Sequence, residues 1–201
     1  IGLDFGTTSV KAVAFDLQGK VKVEAEQLIE TYYPEPSFVE QKPNEIEAST
    51  REVLKDVFAK TKDKKVLAVG ISCAMHSLIC VDKEGTPLSD MSIWSDGRSS
   101  ELVANLDPAV KKSVYSKTGT PIHPMSPLLK LMWMKENDYQ PYQQAVYFMS
   151  LKEYLLFKWF GKRVIDYSMA SATGLMNVKS LDWEDEALDL AGVKRSQLST
   201  I

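Results

Sequence analysis

The chain has 201 residues, 44% of them hydrophobic and 25% charged, with a formal net charge of −3. That suffices for one sizeable domain with a real core, and the mild negative charge argues against general attraction to nucleic acid or an anionic membrane. No apolar run reaches spanning length, no signal peptide is visible, and Cys73 and Cys80 read as small core residues of a reducing compartment, so a cytoplasmic location is expected.

In chain order, apolar alternation predicts strands at 1–5, 10–16 and 21–28, a β-meander whose second turn, Asp16 to Lys20, contains Gly19. The stretch TYYPEPSFVEQKP (31–43) reads as an irregular connection dense in proline and aromatics. Residues 44–60 place Ile46, Thr50, Val53, Leu54, Val57 and Phe58 on one helical face behind Pro43 and Asn44. KKVLAVGISC (64–73) suits a buried strand, and SLICVD (77–82), closed by Lys83-Glu84-Gly85, a further one. The remainder is mostly helical, with helices predicted at 98–106, 108–117, 127–137, 150–160 and 184–191 and a short strand near 145–149. There is no repeat, low-complexity segment or Gly/Ser linker. The expected fold class is α/β, a mixed sheet opened by antiparallel strands with flanking helices, and nothing demands two separate domains. The chain starts inside a strand without methionine and stops at Ser199-Thr200-Ile201, which reads as a piece of a longer protein.

The segment DFGTTSVKAVAFD (4–16) interrupts two strands with Gly6, Thr7 and Thr8, between Asp4 and Lys11. β-Branched threonines are poor turn formers, whereas successive N–H groups and hydroxyls form an anion-binding concavity. A neighbouring carboxylate suits Mg²⁺ held through water. The alternative is an ordinary hairpin with a solvated polar tip. Neither G-x-x-x-x-G-K-[ST] nor G-x-G-x-x-G is present, so a nucleotide site here is not of those types. His76 follows an apolar strand, where it reads as a ligand contact or as a satisfied structural histidine. Trp94, Asp96 and Arg98 in WSDGRS offer an aromatic plate, an acceptor and a forked donor for a polyhydroxylated or carboxylate ligand. They equally suit a helix start capped by Asp96, with Arg98 on its outer face. His123 has no partner at metal-ligand spacing. Lys152 and Asp166 sit near element ends and read as site neighbours or as surface groups.

Together these segments resemble the FGGY carbohydrate kinases, which share the ribonuclease H-like actin–hexokinase–Hsp70 ATPase fold. DFGTTSVKAVAFD is similar to that family's phosphate loop, and MSPLLKLMWMKEN (125–137) to its first signature. VEQKP, WSDGR, TGTP and DYSMASATGLMN follow in family order, so the resemblance covers essentially the whole chain. AMHSLICVD, KTGTPIHPMSPLLKL, LKEYL, VIDYSMASATGLMN and WEDEALDLAGV are most similar to the bacterial gluconate kinases, while Gly97 in WSDGR is more like xylulokinases. The resemblance implies that residues 1–201 are most of the N-terminal, sugar-binding domain, with a C-terminal domain outside the chain. It implies ATP-dependent phosphorylation of D-gluconate at its terminal hydroxyl, a step leading into the pentose phosphate pathway. Gly6, Thr7, Thr8 and Lys11 would bind ATP phosphates, and Asp4 would hold Mg²⁺ through water. His76, Trp94, Asp96 and Arg98 would line the sugar site, with Lys152, Asp166 and His123 as neighbours and Arg98 the first choice for the substrate carboxylate. The catalytic aspartate would lie in a later Gly-rich segment outside the chain. The expected partners are therefore the sugar and ATP, without nucleic acid or membrane, and a homodimer is left open. The other readings are another FGGY sugar kinase, a non-catalytic sugar sensor, and an actin-like or chaperone-like ATPase.

Overall fold

The computed structural model describes residues 1–61 and 64–201. It runs β1 (Gly2–Phe5), β2 (Ser9–Phe15), β3 (Val21–Leu28), β4 (Glu40–Gln41), α1 (Pro43–Thr61), β5 (Gly70–Cys73), β6 (Ile79–Val81) and β7 (Met91–Ser92). There follow α2 (Ser100–Asn105), α3 (Pro108–Thr118), α4 (Pro127–Glu136), α5 (Gln140–Gln144), β8 (Tyr147–Met149), α6 (Leu151–Phe160) and α7 (Tyr167–Ala172). The last elements are β9 (Met176–Asn177), β10 (Asp182–Trp183) and α8 (Asp185–Ala191), then a 3₁₀ turn at Arg195–Gln197. The described residues form two compact units, 1–32 with 41–74, and 33–40 with 75–201. Composition does not mark this division, because none of the crossings is rich in glycine or serine.

The first unit is a four-stranded sheet in the order β3-β2-β1-β5, antiparallel except for the parallel pair β1 and β5. It is the mixed, meander-led sheet that the alternation predicts. Leu3, Phe5, Val10, Ala12 and Ala14 are buried on one sheet face, and α1 packs across β2 and β3 with Ile46, Val53 and Val57 buried. Strand formation in KKVLAVGISC is confined to Gly70–Cys73, and residues 64–69 are exposed. β5 pairs with β1 from Gly70 opposite Gly2 to Cys73 opposite Phe5.

The second unit packs helices around a core that includes Leu78, Cys80, Leu129, Leu131, Phe148 and Trp183. β6 and β8 pair antiparallel at its centre, Cys80 opposite Phe148. α4 is buried along most of its length, from Pro127 to Met132, and is solvated only in its last turn. Two short helices, α5 and α7, lie outside the predicted set. Each is five or six residues long, too short for helical periodicity to stand out.

Candidate functional site

The loop at residues 6–8 is held from three sides. Gly6 N–H donates to the Ser9 carbonyl at 3.0 Å, closing the turn, and the Ile29 N–H reaches the Thr8 carbonyl at 2.8 Å. The Thr7 carbonyl accepts from Gln41 Nε2 at 2.7 Å, and the same amide donates to Thr31 Oγ1 at 3.0 Å. Engaging both threonine carbonyls within the protein takes their negative dipoles out of competition with an anion at the loop. Gln41 is buried, and sequence reading missed it because its partner lies 34 residues away.

Asp4 and Lys11 are directly opposed across β1 and β2, and Ser72 opposes Asp4 across β5. These three line an open hollow of about 420 Å³ together with Gly2, Val13, Phe15 and Gly70. Lys11 pairs with Glu24 at 3.1 Å, and that hydrogen bond raises its pKa above the usual lysine value. Among the described residues no three His, Cys, Asp or Glu side chains are grouped to hold a metal ion. A lone exposed carboxylate such as Asp4 fits a cation whose remaining ligands are phosphate oxygens and water, but not an all-protein cage.

In the second unit the predicted sugar-site residues divide between surface and interior. Trp94 is 51% exposed, whereas Asp96 and Arg98 are buried. Arg98 Nε and Nη2 donate to the two Asp96 oxygens, each at 2.8 Å, and Nη2 also donates to Glu40. Its guanidinium stacks 4.0 Å from the Phe38 ring centroid and 5.4 Å from that of Trp133. Burial works against the charge, but the two carboxylates outweigh it, and the Arg98 pKa is raised. Asp96 also accepts from the Val39 N–H at 2.8 Å, so its oxygens are engaged on several sides. The alternative that places Arg98 on an outer helix face is corrected, because its side chain is buried. Its donors point inward to Asp96 and Glu40, and Asp96 does not cap α2, whose N-cap is Ser99.

His76 is half-buried and adopts a left-handed φ of 69°, a strained conformation for a residue with a side chain. Its Nδ1 lies 2.9 Å from the Ala172 carbonyl. A carbonyl only accepts, so Nδ1 carries the proton and Nε2 of the neutral ring is an acceptor. Burial lowers the His76 pKa, the Ala172 carbonyl opposes that, and the charges of Lys130 and His123 add to it. The next residue, Ser77, accepts the Leu151 N–H at the start of α6 at 3.0 Å. Lys152 pairs with Asp166 at 2.7 Å, and Asp166 caps α7 by accepting the Met169 N–H at 3.0 Å. Burial pulls the Asp166 pKa up, but these hydrogen bonds outweigh it and the net shift is downward. His76 thus lies at the C-terminal end of α7, and the Lys152–Asp166 pair joins the N-terminal ends of α6 and α7. His123 is exposed and its Nδ1 accepts the Met125 N–H at 3.2 Å, a local turn contact.

Residues 1–201 match the N-terminal domain of the FGGY family of carbohydrate kinases. The chain is 38% identical over 202 residues to the gluconokinase of Bacillus subtilis, covering 100% of this chain and 39% of that protein. The gluconate kinase structure from Lactobacillus acidophilus superposes with a TM-score of 0.95 at 33% identity, over 100% of this chain and 41% of that one. A ligand-bound xylulose kinase from the same organism gives the same TM-score, 0.95, with 33% identity and the same coverage of 100% and 41%. The fold is accordingly that of the FGGY sugar kinases, the actin–hexokinase–Hsp70 ATPase fold with its mixed sheet. No helix among the described residues is long and apolar enough to cross a membrane. With the family matched from the first residue to the last, the chain belongs to the FGGY carbohydrate kinases.

Proposed function

We propose that the protein of which this chain forms part transfers the γ-phosphoryl group of ATP to the terminal hydroxyl of D-gluconate, giving 6-phospho-D-gluconate and ADP. The observation that carries this reading is the 38% identity to a gluconokinase along the whole chain. In such a transfer the protein acts by positioning and charge stabilisation. The amides and hydroxyls of Gly6, Thr7 and Thr8 hold phosphate oxygens, with Lys11 supporting their charge. Asp4 would hold Mg²⁺ through water, and the ion would supply charge neutralisation on the phosphates. His76 Nε2 accepts a sugar hydroxyl, and the exposed Trp94 indole covers an apolar face of the sugar. Asp96 and Arg98 brace the Trp94 loop from within. With the Arg98 fork engaged internally, the partly exposed ammonium of Lys152 takes the role of donor to the gluconate carboxylate.

Xylulokinase is the second reading, favoured by the equal structural match and by Gly97. The test is ADP release by the complete gene product with D-gluconate, D-xylulose and glycerol offered separately. Gluconate-dependent turnover is expected, and Lys152→Met is expected to raise KM for gluconate about tenfold while leaving KM for ATP unchanged. Turnover on xylulose alone would overturn the substrate while keeping the kinase. ATP binding without turnover on any sugar would favour a sensor on the same fold.

A further inference from the structure

α4 carries a lysine where its neighbours are core. Lys130 is 0% exposed, between Leu129 and Leu131 at 1% and 0%. A buried ammonium is costly unless it is hydrogen-bonded, and for packing alone leucine or methionine would serve. The Lys130 Nζ donates to the His76 carbonyl at 2.7 Å and to the Ile93 carbonyl at 2.7 Å. These two carbonyls sit 54 and 37 residues away in sequence, on separate loops. One loop carries the strained His76 itself. The other carries Trp94 as the next residue, and its Ile93 carbonyl also closes the turn to the Asp96 N–H at 3.0 Å.

We propose that Lys130 is a positioning residue of the sugar site, a tie that sets the spacing of the His76 and Trp94 loops; this rests on the sugar-kinase reading above. Behind their tips the two segments are bridged at Leu78 and Ser92, whose N–H groups donate to each other's carbonyls at 3.0 and 3.1 Å. Lys130 adds the tie nearer the tips, between the His76 and Ile93 carbonyls, and each segment carries a side chain assigned to the substrate. Holding His76 at a positive φ requires surroundings that over-determine it, and a bond to its own carbonyl is such a constraint. Burial lowers the Lys130 pKa to about 7, with the Asp96 charge opposing. The neutral amine still has two N–H groups, one for each carbonyl, so the tie persists in either protonation state.

The experiment uses the complete gene product with Lys130→Met, which keeps length and removes the donors. Expected are a KM for gluconate raised about tenfold and a KM for ATP within about twofold of wild type. Amide hydrogen exchange at 77–78 and 94–98 is expected to quicken relative to α6. If the wild type phosphorylates none of the sugars, the substrate reading fails while the exchange result still decides the tie. Where Lys130→Met does not fold, Lys130→Ala with added propylammonium replaces it, and recovery of the wild-type exchange at both loops supports the tie. Unchanged sugar KM and unchanged exchange, an equal rise in both KM values, or failure of both variants to fold would overturn it and leave Lys130 a structural residue.

Discussion

At Arg98 a residue type suited to a substrate carboxylate is turned instead toward two carboxylates and two aromatic rings of its own unit. Removing one member of such a buried set strands the others without a countercharge, at a cost of about 3–5 kcal/mol. Arg98→Met is therefore expected to lower the urea midpoint strongly, and Arg98→Lys to restore only part of it, because an ammonium cannot bridge both acceptors in one plane. A variant with normal stability and a raised sugar KM alone would return Arg98 to direct substrate contact. His76 makes a second case at this scale. Its folded pKa lies below the 6.5 of the unfolded chain, mainly through burial. Its contribution to stability is therefore present above that value and is lost as pH falls through the folded pKa. Stability measured from about pH 7 down to about pH 5 is expected to fall less steeply in His76→Gln than in wild type. Parallel curves would show that His76 does not titrate across that window.

Elements hold the phosphate loop as much as its own residues do. The turn at 6–8 is fixed by the adjoining strands and by Gln41, which enters just ahead of α1 and bridges Thr7 to Thr31. Gln41→Leu keeps the volume and leaves the Thr7 carbonyl without this donor, an unmet hydrogen bond worth about 1–3 kcal/mol. The expected result is about tenfold weaker nucleotide binding by the complete protein, read by calorimetric titration, with gluconate affinity unchanged. Equal loss for both ligands would mean that Gln41 supports the unit generally. The helices of the second unit show the same division of labour. α6 begins with a capping box between Ser150 and Glu153, and α7 with Asp166, so Lys152 in the first turn of α6, and the His76 loop through Ser77, rest on a well-anchored helix start.

For the whole molecule, the chain spans 39% of the gluconokinase it matches, and the proposed activity is that of a protein of such length. The resemblance puts the general base outside residues 1–201, and loss of such a base alone costs about 10²–10⁴-fold in rate. The 201-residue chain by itself is expected to give no gluconate-dependent ADP release; a measurable rate would place a base within it. The sequence alone was sufficient for the family, the order of the principal strands and helices, and the loop at Gly6 to Thr8. These are carried by short-range patterns: alternation in 10–16, the helical face of 44–60, and motifs a few residues long. The orientations of Arg98, Gln41 and Lys130 were decided only by the tertiary structure. Their partners lie 58, 34 and 54 residues away, and a charged or amide group is buried only where the topology delivers its acceptors. Residue type and spacing say which donors a chain possesses; the packing of distant segments determines which of them remain turned toward a ligand.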